Sequence, residues 1–570
     1  MELGACPVAD GSRPTETTRH ASPLAWNGGR SLLWQVLGLA LVWIFLVILH
    51  LHNDGLWYQG DAPRHAGNGI FWRDFVLHFP VSPFAFALGY FARYPVISPT
   101  LYPPVFYLIE AVVFSVFGIS PFVAKGVVLS FALLAALYML LWLRYGVGPQ
   151  TGWGGALLLL QPGMIVWSNA VMLNVPAMAL GLATLYHGRR LLDAPRSPQL
   201  YLTAMFGVLA ILTYVPTGMI VFVLLAWFVI ERRGAVFRQL RTWIVAGLAA
   251  LALTPWAVIT IKWAPDRIGM VSGSAYHASL PFAEAQWWLS YLASLPRLVT
   301  DWVLALAAAG AILGLWSRRW RREAKLALIW IVVCYVGFSC IYVREPRYIL
   351  LLMPPLVLLG VIALVAGFER LSTPFGRSPA WAMPAALLIL IGVHLLAAPQ
   401  VRVPAVSGMR KVVAFVEREA PDQRVFYEGK YDGVFSFYVR AGDRKMRESV
   451  TLGSKLLYAT AVDPSLKLVK MVASPHDVVD AFRSKCGCRW LVVESPWEDK
   501  EPAPDRYLRQ ALHGPEFMLV RSFPFHRPRP GPGYIDVYRF LPPIKTPQQQ
   551  RLRFPILGND KVYRVAPIGH

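Results

Sequence analysis

The sequence is short of charge and shorter still of cysteine. Only 15% of its 570 residues are charged while 56% are hydrophobic, which excludes an ordinary water-soluble globule and points to a polytopic membrane protein. Five cysteines, Cys6, Cys334, Cys340, Cys486 and Cys488, give no disulfide framework. Cys486 and Cys488 stand two apart, too close for a relaxed bridge, and read as structural thiols. Acidic residues are few, 33 against 55 Lys and Arg, yet the resulting charge of +22 does not indicate nucleic acid. The basic residues fall instead in short runs between apolar segments (RRLLDAPR, ERRGAVFRQLR, SRRWRREAK), as cytoplasmic loops do. No Walker motif, no GxGxxG between strand and helix and no serine nucleophile elbow are present, which argues against nucleotide-driven chemistry. Nor is there the internal half-repeat that many transporters carry.

What is present is a series of long apolar runs. A polar, basic tail of residues 1–30 precedes the first, Ser31–Leu51, which reads as an uncleaved anchor. Charge decides how the later runs cross. If Pro103–Gly118 does not span and 200–231 is two helices broken at Tyr214–Pro216, one side collects all the basic loops. Arg144, Arg189, Arg190, Arg196, Arg232, Arg233, Arg318, Arg319, Arg321 and Arg322 then share the cytoplasmic face. The opposite assumption puts Arg144, Arg189 and Arg190 outside. The first arrangement is preferred and gives about 11 spanning helices, N-terminus in and C-terminus out. Residues 31–400 form the membrane domain, with a first outer loop at 52–120. Residues 401–570 read as a soluble extracytoplasmic α/β domain, so the expected fold is a polytopic α-helical membrane protein carrying a C-terminal soluble α/β domain. In that domain RVFYEG, GVFSFYVR, RWLVVES and GYIDVYRF read as strands and VVDAFRSK as helix, with an irregular end rich in Pro, Gln and Arg.

The candidate chemistry lies on the outer face. Asp61 sits ten residues beyond the first apolar run, followed by Pro63 and Arg64. A carboxylate at a membrane surface is costly to desolvate, and it reads either as a general base or as half of a surface pair with Arg64. Asp74, beside Arg73, reads as a local surface pair. Arg64, Arg93, Arg344 and Arg347 are outer-face guanidiniums suited to phosphate oxygens, with lipid headgroups as the bland alternative. Glu345 and Pro346 set Arg344 and Arg347 in a tight turn that continues into Tyr348. Tyr94 and Tyr102 precede prolines that stiffen the entry to the next helix. His65, His78 and Glu110 match no metal-ligand spacing, so no metal site is assigned, and a divalent cation is left open as a cofactor.

Four motifs in order carry a resemblance: QGDAPRHA, YPPVFYLIEAVVFSVFG, NAVMLNVPA and EPRYILLLMPP. Together they resemble the polytopic C-superfamily (GT-C) glycosyltransferases, in the branch of protein O-mannosyltransferases, aminoarabinose transferases and lipopolysaccharide-core galacturonic-acid transferases. The likeness covers residues 31 to about 400. It implies an inverting glycosyltransferase of the bacterial inner (plasma) membrane, with its site and C-terminal domain outside the cytoplasm. It further implies a polyprenyl-phosphate sugar donor, a hydroxyl acceptor on lipid, glycan or protein, and Asp61 as base. Arg64, Arg93, Tyr94, Tyr102, Asn174, Arg344, Glu345, Arg347 and Tyr348 are the expected substrate-binding residues. Two positions depart from the family: Ala62 stands where a second acid is common, and Asn174 where Asp is usual. Both lower the local negative charge and make a metal a poorer fit than in relatives. The alternative reading is a degenerate transferase, or a membrane scaffold or transporter without catalysis.

Overall fold

The computed structural model describes residues 24–50, 55–57, 60–98, 101–263, 281–372, 381–421, 423–460, 468–496, 502–528, 531–545, 550–553 and 562–565. Most of the expected N-terminal tail, and Gln59 of the first motif, lie outside them.

The apolar runs become a helical bundle with two unlike ends. Helix α1 (Leu24–Leu49) starts before the expected Ser31 and packs against α5 (Pro121–Gly146), where the Trp43 indole donates to the Leu129 carbonyl at 2.8 Å. Arg144, at the end of α5, reaches back to Gln35 near the start of α1 at 2.7 Å, so the two run antiparallel. The same end gathers α6 (Asn174–Asp193), α8 (Met219–Ile230) and α11 (Arg321–Ser339). Arg189 meets Glu323 at 2.6 Å, and Trp142 donates to the same carboxylate at 3.0 Å. Arg322 pairs with Asp193 and, at 2.8 Å, with Glu231. The basic loops singled out by charge thus do converge on one end of the bundle.

Five described helices are long and apolar enough to cross a membrane alone: 29–49, 121–146, 240–262, 346–370 and 382–400. A sixth span forms if 285–298 and 301–316, bent by 117°, are taken as one. Of the remaining expected spans, α6 and α11 are 20 and 19 residues long, and others are shorter. Helices α7 (Gln199–Ile211) and α8 are separate rods, broken at Tyr214–Pro216 as the charge pattern requires. Helix α4 (Val105–Phe117) folds back on the first half of α5: Phe106 faces Phe131 at 6.3 Å between ring centroids, while Phe117 and Phe122 share a hollow with Val47. It therefore stays in one half of the bundle. Helices α9 (Leu240–Trp263), α10 (Asp301–Trp316), α12 (Met353–Ser372) and α13 (Ala382–Ala397) complete the membrane part. Two further helices, α2 (Asp61–His78) and α3 (Pro83–Arg93), lie in the segment expected to be the first outer loop, ahead of α4.

Beyond residue 400 the chain turns to α/β. Its sheet comprises β1 (Arg424–Glu428), β2 (Ser449–Leu452), β3 (Trp490–Ser495), β4 (Phe517–Phe525) and β5 (Gly533–Phe540), in the order β2-β1-β3-β5-β4. The first three are mutually parallel, while β5 runs antiparallel to β3 and β4. Three expectations need correction. GVFSFYVR is not a strand but most of α15 (Asp432–Gly442), which follows α14 (Met409–Glu419) and β1. All eight of its residues are buried, so no alternation of exposed and buried positions marked its period. The end is not wholly irregular, since Gln550–Arg553 pairs with Val562–Val565. Cys486 and Cys488 are not free thiols but form a disulfide.

Helices α10 and α12 approach closely at Gly310, where a Cβ would lie 1.8 Å from the Leu359 carbonyl oxygen. Gly310→Ala should therefore overpack the bundle, costing about 1–3 kcal/mol. Gly247→Ala, whose Cβ would meet nothing within 4 Å, is the control. Thermal unfolding of the detergent-solubilised variants checks this, and equal melting temperatures would refute the close contact.

Candidate active site

Asp61 is the first residue of α2, with Gly60 before it and Pro63 in the first turn, where a missing N–H costs nothing. An acid in that position faces the positive end of the helix dipole. Its carboxylate is gripped from two sides. Arg64, one turn on, reaches Oδ1 at 3.2 Å, and Arg347 reaches Oδ2 at 3.0 Å from the turn that starts α12. Arg347 also holds Glu345 through Nε at 3.1 Å, and its Nη1 lies 3.7 Å from the Met172 sulfur. The guanidinium is only 6% exposed, whereas Asp61 is 25% and Glu345 30% exposed. Arg347 is thus a buried cation with two partly exposed counter-charges.

Around this clasp stand aromatic and polar groups. Tyr348 lies under the Arg347 guanidinium at 5.3 Å. His65, one turn beyond Asp61, hydrogen-bonds the Tyr107 hydroxyl at 2.7 Å and meets the Tyr102 ring edge-on at 4.8 Å. Asn174 opens α6 two residues after Met172 and is buried. The clasp thus unites Asp61, Arg64, Glu345, Arg347 and Tyr348, with Tyr102 and Asn174 on neighbouring segments. His65, Tyr107 and Met172 complete it, and sequence reasoning gave them no such role. For His65 the one signal was its place one helical turn after Asp61.

Other expected residues are used elsewhere. The Arg344 guanidinium stacks on Trp287, 3.5 Å from the ring centroid, and donates to the Trp287 and Ser339 carbonyls and to Ser290. Tyr94 donates to Asp443 of the α/β domain at 2.6 Å, and Arg93 lies within electrostatic reach of Arg424 in that domain. Asp74 is no local surface pair. It is 1% exposed and binds Arg440 of the α/β domain at 2.5 Å, besides Arg73 at 3.0 Å. Among the described residues no three His, Cys, Asp or Glu side chains converge as metal ligands. His78 is bonded to the Asp74 carbonyl at 2.7 Å, and both Glu110 oxygens are buried without a hydrogen-bond partner.

The electrostatics of Asp61 follow from competing causes. Burial pushes its carboxyl up, but His65, Arg64 and Arg347 together pull harder and hold it below the usual aspartate value. A depressed value means that the clasp is at full strength above the unfolded pKa, about 4, and is lost as pH falls through the folded one.

No protein-family model matches the sequence, and no curated protein matches it. Its structure does find counterparts. ArnT from Cupriavidus metallidurans, solved bound to undecaprenyl phosphate, aligns with a TM-score of 0.56 over 90% of this chain and 98% of that one, at 14% identity. The apo form of that protein gives 0.56 over 88% and 97%, at 16% identity. The chain shares the ArnT fold. The architecture expected from the apolar runs and from the change of composition after residue 400, a helical membrane domain followed by an α/β domain, is the one observed. Within it the clasp joins the first outer helix to the start of α12.

The role of Arg344 is separable from that of the clasp. Arg344→Lys keeps the charge but loses the fork that ties Trp287, Ser290 and Ser339 together. It should cost about 1–2 kcal/mol in thermal unfolding, against no change for the exposed Arg233→Lys. Equal stability of the two variants would remove this structural assignment.

Proposed function

We propose that this chain is a membrane glycosyltransferase that moves a sugar from a polyprenyl-phosphate-linked donor to a hydroxyl acceptor outside the cytoplasm, with inversion. The observation that carries the reading is the Asp61–Arg64–Arg347 clasp, set in a fold whose ArnT example binds undecaprenyl phosphate. Two further features favour the outer location. The disulfide Cys486–Cys488 suits an oxidising compartment, and the basic residues collect at the end of the bundle away from the clasp. An apolar hollow of 620 Å³ lined by Trp43, Val47, Ile109, Val113 and Phe117 offers a bed for an isoprenoid chain.

The chemistry divides between one acid and two arginines. Asp61 takes the proton of the acceptor hydroxyl, whose oxygen attacks the anomeric carbon opposite the phosphate. The bond from that carbon to the phosphate oxygen breaks, and the phosphate leaves with the electron pair. A phosphate is an adequate leaving group, so it needs positive charge rather than a second acid. Arg347 supplies that charge with a bidentate fork, Arg64 adds to it, and Tyr102, Asn174 and Tyr348 line the approach. Arg93, Tyr94 and Arg344 serve the surrounding architecture. When Arg347 turns from Asp61 to the phosphate, one of the pulls on the carboxyl is lost and burial strengthens it as a base.

Full-length protein in nanodiscs, given a panel of polyprenyl-phosphate sugars, tests the reading. Asp61→Asn should keep donor binding and lower turnover by about 10²–10⁴-fold. Arg64→Ala removes one downward pull on Asp61, so the acid limb of turnover should move to higher pH. Wild-type turnover in Asp61→Asn would sink the base assignment, and an unmoved limb in Arg64→Ala would sink its electrostatic cause.

A further inference from the structure

Helix α2 is held at both ends. Arg347 grips its first residue, and the second grip lies thirteen positions along, at Asp74. There Oδ2 accepts Arg440 Nε at 3.0 Å and Nη2 at 2.5 Å, together with the Tyr90 hydroxyl at 2.8 Å. Arg440 also donates to the Asp443 carbonyl at 2.7 Å, while the Asp443 carboxylate accepts the Tyr94 hydroxyl at 2.6 Å. The bolt is dry: Arg440 is 4% and Asp74 1% exposed. An ion pair this deep contributes little net stability, but it fixes register, because either charge left alone would be very costly.

Arg440 belongs to α15, the helix of the α/β domain that the sequence disguised as a strand. Its other end touches α2 as well. A Cβ on Gly433 would lie 2.7 Å from Cγ of Pro63, two residues after Asp61, and 3.2 Å from Val96 Cγ2. The two helices therefore run side by side in the same direction. At 1.5 Å per residue, Pro63 to Asp74 spans about 16 Å and Gly433 to Arg440 about 10 Å, and the arginine side chain covers the difference. Beside the first of these contacts Asp432, at the start of α15, lies within electrostatic reach of Arg64, the residue that also holds Asp61.

We propose that the α/β domain is part of the catalytic apparatus: α15 fixes α2, and so sets where Asp61 and Arg64 stand, with Gly433 and Arg440 as positioning residues. The inference rests on the transferase reading above. Sub-ångström placement matters to catalysis, since a shift of about 1 Å can cost about 10²-fold in rate. The α/β domain then acts on the reaction without touching the substrate.

Gly433→Ala tests this in the full-length nanodisc protein. Alanine favours a helix more than glycine, so the substitution does not weaken α15 itself. Its methyl group meets the rigid Pro63 ring first, 2.7 Å from Cγ and 3.0 Å from Cβ, with Val96 Cγ2 next at 3.2 Å. Turnover should fall about 10- to 100-fold, with the donor KM moving less than about twofold. Amide exchange across residues 65–74 should rise. Adding Pro63→Ala removes the nearest obstruction, Cγ, while keeping Cβ, and should restore part of both. Turnover and exchange unchanged in Gly433→Ala, or a defect that Pro63→Ala leaves in place, overturns the inference. If the wild type transfers no sugar, the transferase reading falls, and the exchange data alone decide whether α15 positions α2.

Discussion

The ion pair between Arg347 and Asp61 is the constraint on which the junction between the helical bundle and the α/β domain depends. Arg347 is rooted in the spanning bundle and nearly without solvent, so its charge must be met within reach. The only carboxylates bonded to it among the described residues are Asp61, on a helix outside the bundle, and Glu345, two positions away. Meeting the charge therefore fixes the start of α2 against the start of α12. Everything that α2 carries, from Arg64 and His65 to the distant Asp74, inherits its place from that contact and from the second grip at Arg440.

The opposite end of the bundle makes an instructive contrast. There Arg189, Glu323, Asp193, Arg322 and Glu231 form a chain of pairs, with Trp142 closing the most deeply buried carboxylate. That network joins helices to helices and leaves little reason for a ligand to enter. At the clasp the cation is buried while its two carboxylates remain a quarter or more exposed, at a junction of two domains. Paired charge alone does not distinguish function from architecture. Nor does partial exposure, since Asp193 is 32% exposed beside the buried Arg189; what sets the clasp apart is its place against the α/β domain, where Pro63 meets Gly433.

Much of this was legible in the chain, for local reasons. The arginine-rich loops announce their common side because loop charge is unmasked by packing, and the same pattern required α4 to stop short and α7 and α8 to separate. Asp61 was legible because a carboxylate so near a membrane run is expensive. What escaped detection depended on distance or on burial. Asp74 looked like a neighbour of Arg73, since its true partner lies 366 positions away. GVFSFYVR looked like a strand because α15 is buried on every side, which removes the polar face that reveals a helical period. Arg440 had no visible role until that helix and α2 were laid together. Arg344 and Arg347 illustrate the same limit: three residues apart, they face different surroundings, one a stack on Trp287 and the other the clasp.

The charge balance of the clasp explains why one acid can serve two purposes. Arg64 and Arg347 carry two positive charges, and Asp61 and Glu345 two negative ones, so these four groups balance before the pull of His65 on Asp61 is added. A sugar linked through a phosphodiester brings one negative charge, and the departing phosphate monoester gains a second as the bond breaks. In the proposed reaction Asp61 becomes neutral at that same stage, by accepting the acceptor's proton. Neutralising it removes the partner that both arginines held, and their charge turns outward as the leaving group needs it. Proton transfer on one side of the sugar is thus coupled electrostatically to departure on the other. A second acid beside Asp61 would keep the arginines engaged through that step. With Ala62 in the next position, no such acid stands there to interrupt the coupling.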